Sequence, residues 1–147
     1  MNVNTKMTHE PTRNVMESDC RTGETTDRLD RNGGAGMTVL IDGLQYANWS
    51  ERIFRQMREG GVDAVHVTIT YHETFRETVA NIARWNRWFE SFPDLIFQGF
   101  TAADVQIARD TGRTAIFFGT QNPSCIEDDI GLVEVLHRLG LRRSRGP

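Results

Sequence analysis

Few residues in this sequence carry the chemistry to act on a substrate, and they are grouped. His66 and His72 flank the end of an alternating apolar and polar run, Ala64 to Thr70, and Tyr71-His72-Glu73 follows at once. An imidazole titrates near neutrality and can act as acid, base or metal ligand. His66, Tyr71 and His72 are therefore the candidate pocket-lining residues. Such a histidine is more often a hydrogen-bonded core residue, and a polar lead-in to a helix accounts for the other two as well. Glu127, Asp128 and Asp129 form an acidic cluster suited to a cation. At the start of a helix they would equally complement its dipole. Trp85, Trp88 and Phe89 alternate with Arg84 and Arg87, as a base-stacking surface does. Their spacing fits one helix packed on a sheet, with arginine heads reaching water.

Composition narrows the classes of partner. Hydrophobic residues make up 38% and charged residues 25% of 147 residues, ordinary for a soluble globular protein with a polar segment attached. The net charge of -3 gives no electrostatic ground for a nucleic-acid or anionic-membrane partner. No apolar stretch approaches the roughly 20 residues that span a bilayer, and no apolar signal core opens the chain. Cys20 and Cys125 have no near cysteine partner, so neither a disulfide framework nor a cysteine zinc site is expected. A reducing, cytoplasmic location is the default expectation.

The elements that must position these groups begin near Met37. Residues 1–36 are rich in Thr, Asn, Asp, Arg and Gly and read as a disordered extension, or as frame upstream of a true start at Met37. Thr38-Val39-Leu40-Ile41, stopped by Asp42-Gly43, predicts a buried parallel strand. Ser50 can cap a helix carrying Ile53, Phe54 and Met57, ended by Gly60-Gly61. Ala64 to Thr70 predicts a strand with Val65, Val67 and Ile69 on one face and His66, Thr68 and Thr70 on the other. Thr74 and Glu77 have capping-box spacing for a long helix that Pro93 ends. Leu95-Ile96-Phe97 is the next strand candidate, and Thr101 with Asp104 opens a helix closed by Gly112. Thr114-Ala115-Ile116-Phe117-Phe118 is the clearest strand, and a last helix is predicted over residues 128–139. Four strand–helix units in alternation imply a parallel α/β sheet, either open and doubly wound or part of a barrel. A single glycine follows the first strand, which leaves a nucleotide-binding reading weak.

The order of several motifs is informative. Asp42-Gly43 closes the first strand and Trp49-Ser50 opens the first helix. Thr101-Ala102-Ala103-Asp104-Val105 follows, then Gly-Arg-Thr-Ala-Ile-Phe-Phe-Gly over residues 112–119. Ile126-Glu127-Asp128-Asp129 leads on to Leu139-Gly140-Leu141-Arg142. In order and spacing, residues 37–142 resemble the N-terminal portion of the membrane (renal) dipeptidase family, most clearly over residues 112–142. The resemblance implies an amidohydrolase-like (β/α)8 TIM barrel, present here as about four βα units, and zinc-dependent hydrolysis of dipeptides or related amides. In the family a metal-bound hydroxide attacks the carbonyl.

The resemblance also locates where the zinc ligands of this half would stand. The family's first strand ends in a ligating His and Asp, and a bridging Glu follows the strand equivalent to residues 114–119. Here those positions hold Leu44, Tyr46 and Gln121. Leucine cannot ligate, neutral glutamine is a poor bridge, and a tyrosine phenol needs deprotonation. No metal is expected on this chain. A whole barrel takes about 250 residues, and Arg143-Ser144-Arg145-Gly146-Pro147 reads as neither strand nor natural helix stop. Residues 143–147 are therefore expected to be an aberrant tail on a truncated member of the family, inactive as it stands, whose complete form would take a dipeptide-like substrate. The alternative is a non-catalytic protein that binds a small molecule, or assembles with copies of itself through exposed strand edges.

Overall fold

The computed structural model describes residues 38–144. The extension read over residues 1–36, Cys20 within it, and the last three residues of the chain lie outside the described residues. The sheet is built around two seven-residue strands rich in β-branched and aromatic side chains, β2 (Ala64–Thr70) and β4 (Thr114–Thr120), which pair in parallel. Every residue of β4 is buried, as a strand covered on both faces requires. β1 (Ile41–Gln45) pairs with the outer edge of β2. β3 (Ile96–Gln98) pairs with the first half of β4, from Thr114 to Ile116. β5 (Leu141–Ser144) pairs with the second half, from Phe118 to Thr120. Because β2 occupies one edge of β4, β3 and β5 share the other. All pairings are parallel.

The helices follow from this order. α1 (Glu51–Glu59) and α2 (Phe75–Ser91) set Phe54, Met57, Ile82 and Trp85 against Val65, Val67, Ile116 and Phe118. Burying a side chain of this size contributes about 1.5–3 kcal/mol each. α3 (Ala102–Thr111) packs Ala108 with Ala64, Ala115 and Phe117 instead. Those strand residues alternate with the ones α1 and α2 cover, so α3 lies on the opposite face. The strand order explains it. The chain steps from β1 to β2 in one direction but from β3 back to β4 in the other, and a right-handed crossover then places its helix on the second face. The aromatic stripe of α2 is core: Trp85 is buried and meets Trp49, Phe54 and Phe118 at ring-centroid distances of 5.2–6.1 Å.

Several expectations are corrected. The first strand begins at Ile41, not Thr38, and Val39, Leu40 and Ile41 are exposed because β1 is an edge strand. Asp42-Gly43 does not stop it; a register shift between Asp42 and Gln45 makes a bulge there, with Leu44 at φ 56°. Arg143 and Ser144 belong to a strand, since β5 pairs Arg143 with Gly119 and Ser144 with Thr120. The last helix is shorter than read. A 3-10 turn covers Ser124–Ile126, and α4 runs from Leu132 to Arg138. Glu127 therefore does not open α4. Its carboxylate accepts the backbone N–H of Phe75 at 3.0 Å and so serves the start of α2.

Thr70 also changes sides. A second register irregularity between Thr68 and Thr70 turns it away from His66. Its hydroxyl meets that of Thr78 on α2 at 2.7 Å, and the Thr78 hydroxyl donates onward to the carbonyl of Thr74 at 2.9 Å. Thr74 and Glu77 form the expected capping box, with the Glu77 carboxylate accepting from the Thr74 backbone N–H at 2.9 Å.

Candidate functional site

The C-terminal ends of parallel strands are where such sheets place their chemistry. Here they bring together Leu44 near the end of β1 and Tyr46 after it, Tyr71 to Glu73 after β2, Gln121 and Asn122 after β4, and Arg143 within β5. Thr68, Gly119 and Arg143 lie in one row across three strands. The bulge in β1 aims Leu44 into that row. Its Cδ1 lies so close to Gly119 that a Cβ built on the glycine would stand 2.9 Å away. Leucine rarely adopts a left-handed backbone, which costs it about 1–2 kcal/mol, and bulges re-aim side chains beside sites.

His66 is half-buried on the same face, its ring 5.4 Å from that of Phe117. Burial pushes its pKa down, and the nearby Arg143 charge adds to the effect. A neutral imidazole beside a guanidinium suits an anionic or neutral guest better than a cation. His72 stands beyond the strand end, edge-on to Tyr71 at 4.4 Å and 3.3 Å from the Asn122 amide through Nδ1. The structure thus separates the sequence candidates. Tyr71 and His72 sit together on the loop that Asn122 ties to the end of β4, through its bond to the Tyr71 carbonyl. His66 is six residues back along the strand and is not in that group.

The residues do not fit the zinc pair that the family resemblance implied. Leu44 presents a hydrocarbon where a ligand would stand. Tyr46 is 72% exposed and leans toward Tyr71, ring centroids 6.4 Å apart. Gln121 donates its backbone N–H to the Thr70 carbonyl at 2.8 Å and offers a neutral side chain. Arg143 adds positive charge to the face that would have to receive cations. A zinc ion needs carboxylate, imidazole or thiolate donors, and among the described residues no three His, Cys, Asp or Glu side chains converge. Cys125 is a buried free thiol, held protonated by burial, between Thr70 and Thr78.

Sequence reading missed one feature of the site. A cavity of about 330 Å³ opens between the loop after β1, the end of β2 and α2. Trp49, Trp85 and Trp88 line it, together with Tyr46, Thr68 and Arg84. The Thr68 hydroxyl is buried without a hydrogen-bond partner. No periodicity signals this, because the wall comes from a loop whose course the bulge at Leu44 sets.

With this geometry in place, two solved structures are similar. An amidohydrolase from Pseudomonas aeruginosa superposes with a TM-score of 0.71 at 37% sequence identity, over 73% of this chain and 33% of that one. The dipeptidase AC, a metallopeptidase of family M19, superposes with a TM-score of 0.63 at 16% identity, over 72% of this chain and 41% of that one. The chain thus spans about a third of the amidohydrolase's length. No family model and no curated protein matches the sequence. The parallel α/β sheet is part of a TIM barrel. β1, β2, β4 and β5 run as neighbours through it, and β3 is a short strand inserted beside the base of β4.

Proposed function

We propose, on the premise that this chain belongs to the membrane dipeptidase family of metal-dependent hydrolases, that it supplies the first strands of a dipeptidase-type barrel without supplying metal ligands. Zinc-dependent hydrolysis of dipeptides or related amides is the activity of the complete protein, and the chain alone is inactive. The observation that carries this reading is Leu44, which lies over Gly119 where the family places a ligating histidine. The test is hydrolysis of a dipeptide panel by the 147-residue chain in the presence of zinc. No turnover above buffer is expected, and zinc-dependent turnover that chelator abolishes would overturn the reading.

A second reading is supported by the tryptophan-lined cavity: the chain binds a small molecule without transforming it. Its lining is mixed, with three indoles beside the polar side chains of Asn48, Glu73, Asn81 and Arg84. The outer edges of β1 and β5 have no strand partner among the described residues, which supports pairing with further copies or with the remainder of a barrel. A cytoplasmic location fits the buried free Cys125 thiol. Among the described residues no helix is long and apolar enough to cross a membrane.

A further inference from the structure

We propose that two copies of this chain join head to tail, the β5 edge of each pairing with the β1 edge of the other, and together close one barrel. The inference rests on the reading above that the free edges take a strand partner, and it names that partner. β1, β2, β4 and β5 are successive neighbours and all run parallel. A TIM barrel has eight such strands, so these four make half of its circumference. A head-to-tail join then closes after two copies, where other geometries would run on as a filament. A second copy fits because each chain carries both sides of the join.

The two edges differ in ways that match them to each other. The only charge on β1 is Asp42, whereas β5 carries Arg142 and Arg143. Asp42 and Arg143 are both exposed. The Arg142 guanidinium donates to the carbonyls of Phe100 at 2.9 Å and His137 at 2.8 Å, which fixes its charge at the β5 end. Pairing β5 with β5 would set arginines beside arginines, and pairing β1 with β1 would bring Asp42 toward its own copy. Like charges on facing strands are destabilising and opposite charges favourable. Only the β5-to-β1 join brings opposite charges together.

Both ends also leave apolar side chains in water. Val39, Leu40 and Ile41 at the β1 end are 43%, 46% and 50% exposed. At the β5 end, Val133, Val135 and Leu139 of α4 and its cap are 41%, 42% and 37% exposed. An apolar edge strand with neither lysine nor proline to blunt it invites pairing, and β1 has neither. Bringing the ends together takes both patches out of water, the main drive for association.

Sedimentation equilibrium of the full 147-residue chain tests the join. A dimer is expected, with no larger species as concentration rises. Leu40→Lys places a charge at an already exposed position and is expected to give monomer. Asp42→Arg and Arg143→Glu are each expected to weaken the dimer several-fold, since each sets like charges across both joins. The chain carrying both exchanges is expected to regain it, because opposite charges again face each other. Weakening by only one of the two exchanges would reveal a self-paired edge, and an open series of oligomers would deny closure at two copies. Either result overturns this join and leaves the edges as pairing surfaces. A dimer that none of these substitutions weakens overturns it as well. A monomer at every concentration overturns pairing with copies altogether, and leaves the remainder of a barrel to cover the edges.

Discussion

The Leu44 Cδ1 lies over Gly119, 2.9 Å from where a Cβ at position 119 would stand, so the leucine must shift to admit one. Gly119→Ala should therefore destabilise the chain by about 1–3 kcal/mol, the usual cost of overpacking. Leu44→Ala in the same background should recover part of that loss, giving a coupling energy in a double-mutant cycle followed by chemical denaturation. Independent, additive effects would show that the two side-chain positions do not touch.

Asp63 fastens the edge strand. Its carboxylate accepts from the Leu40 backbone N–H at 3.0 Å, while its own backbone N–H donates to the Leu40 carbonyl at 2.9 Å. Asp63→Ala removes half of this reciprocal pair beside an exposed strand. Amide exchange across Ile41–Gln45 should accelerate while β4 stays protected. Uniform acceleration across both strands would show instead that β1 opens only with the whole sheet.

The Thr70 and Thr78 hydroxyls are buried and bonded to each other at 2.7 Å. Thr78→Val leaves the buried Thr70 hydroxyl without that acceptor and should cost about 1–3 kcal/mol, whereas adding Thr70→Val to it should cost distinctly less. Thermal unfolding of the unaltered chain, both single variants and the double variant decides. A double variant as unstable as the sum of the singles would contradict the pairing.

His66 sets an acid limit on stability. Its pKa is lowered in the fold by burial and by Arg143, so the unfolded chain takes up this proton first as pH falls. The stabilisation is therefore complete above the ordinary histidine value of about 6.5 and is lost progressively below it. His66→Gln should flatten that part of the stability profile. An unchanged acid slope in the variant would assign the slope to other groups.

How much of this was legible in the sequence depends on the kind of signal. β4 was plain from five consecutive apolar or β-branched residues, and the capping box of Thr74 and Glu77 from spacing alone, because both effects are local. The four strand–helix units followed from alternation. The faces did not. Two bulges, at Leu44 and after Thr68, shift the register, and a shift of one residue moves a side chain to the opposite face. Thr70 was misplaced for this reason. β5 was missed because Arg143 and Ser144 carry no strand propensity of their own; the free edge of β4 recruits them. The reversal of strand order at β3, which sends α3 to the second face, leaves no trace in composition. Of the candidate site, the assignment of ligand positions to Leu44, Tyr46 and Gln121 rests on the resemblance alone, and the cavity left no sequence signal, since its wall assembles from a loop and a helix nearly forty residues apart.

The most direct test of the account is the zinc content of the chain after equilibration with zinc and dialysis. With Leu44, Tyr46 and Gln121 at the positions that the family resemblance gives to ligands, and Arg143 on the same face as Leu44, only background zinc should be retained. Retention of about one or more zinc ions per chain, the stoichiometry of a true site, would contradict it.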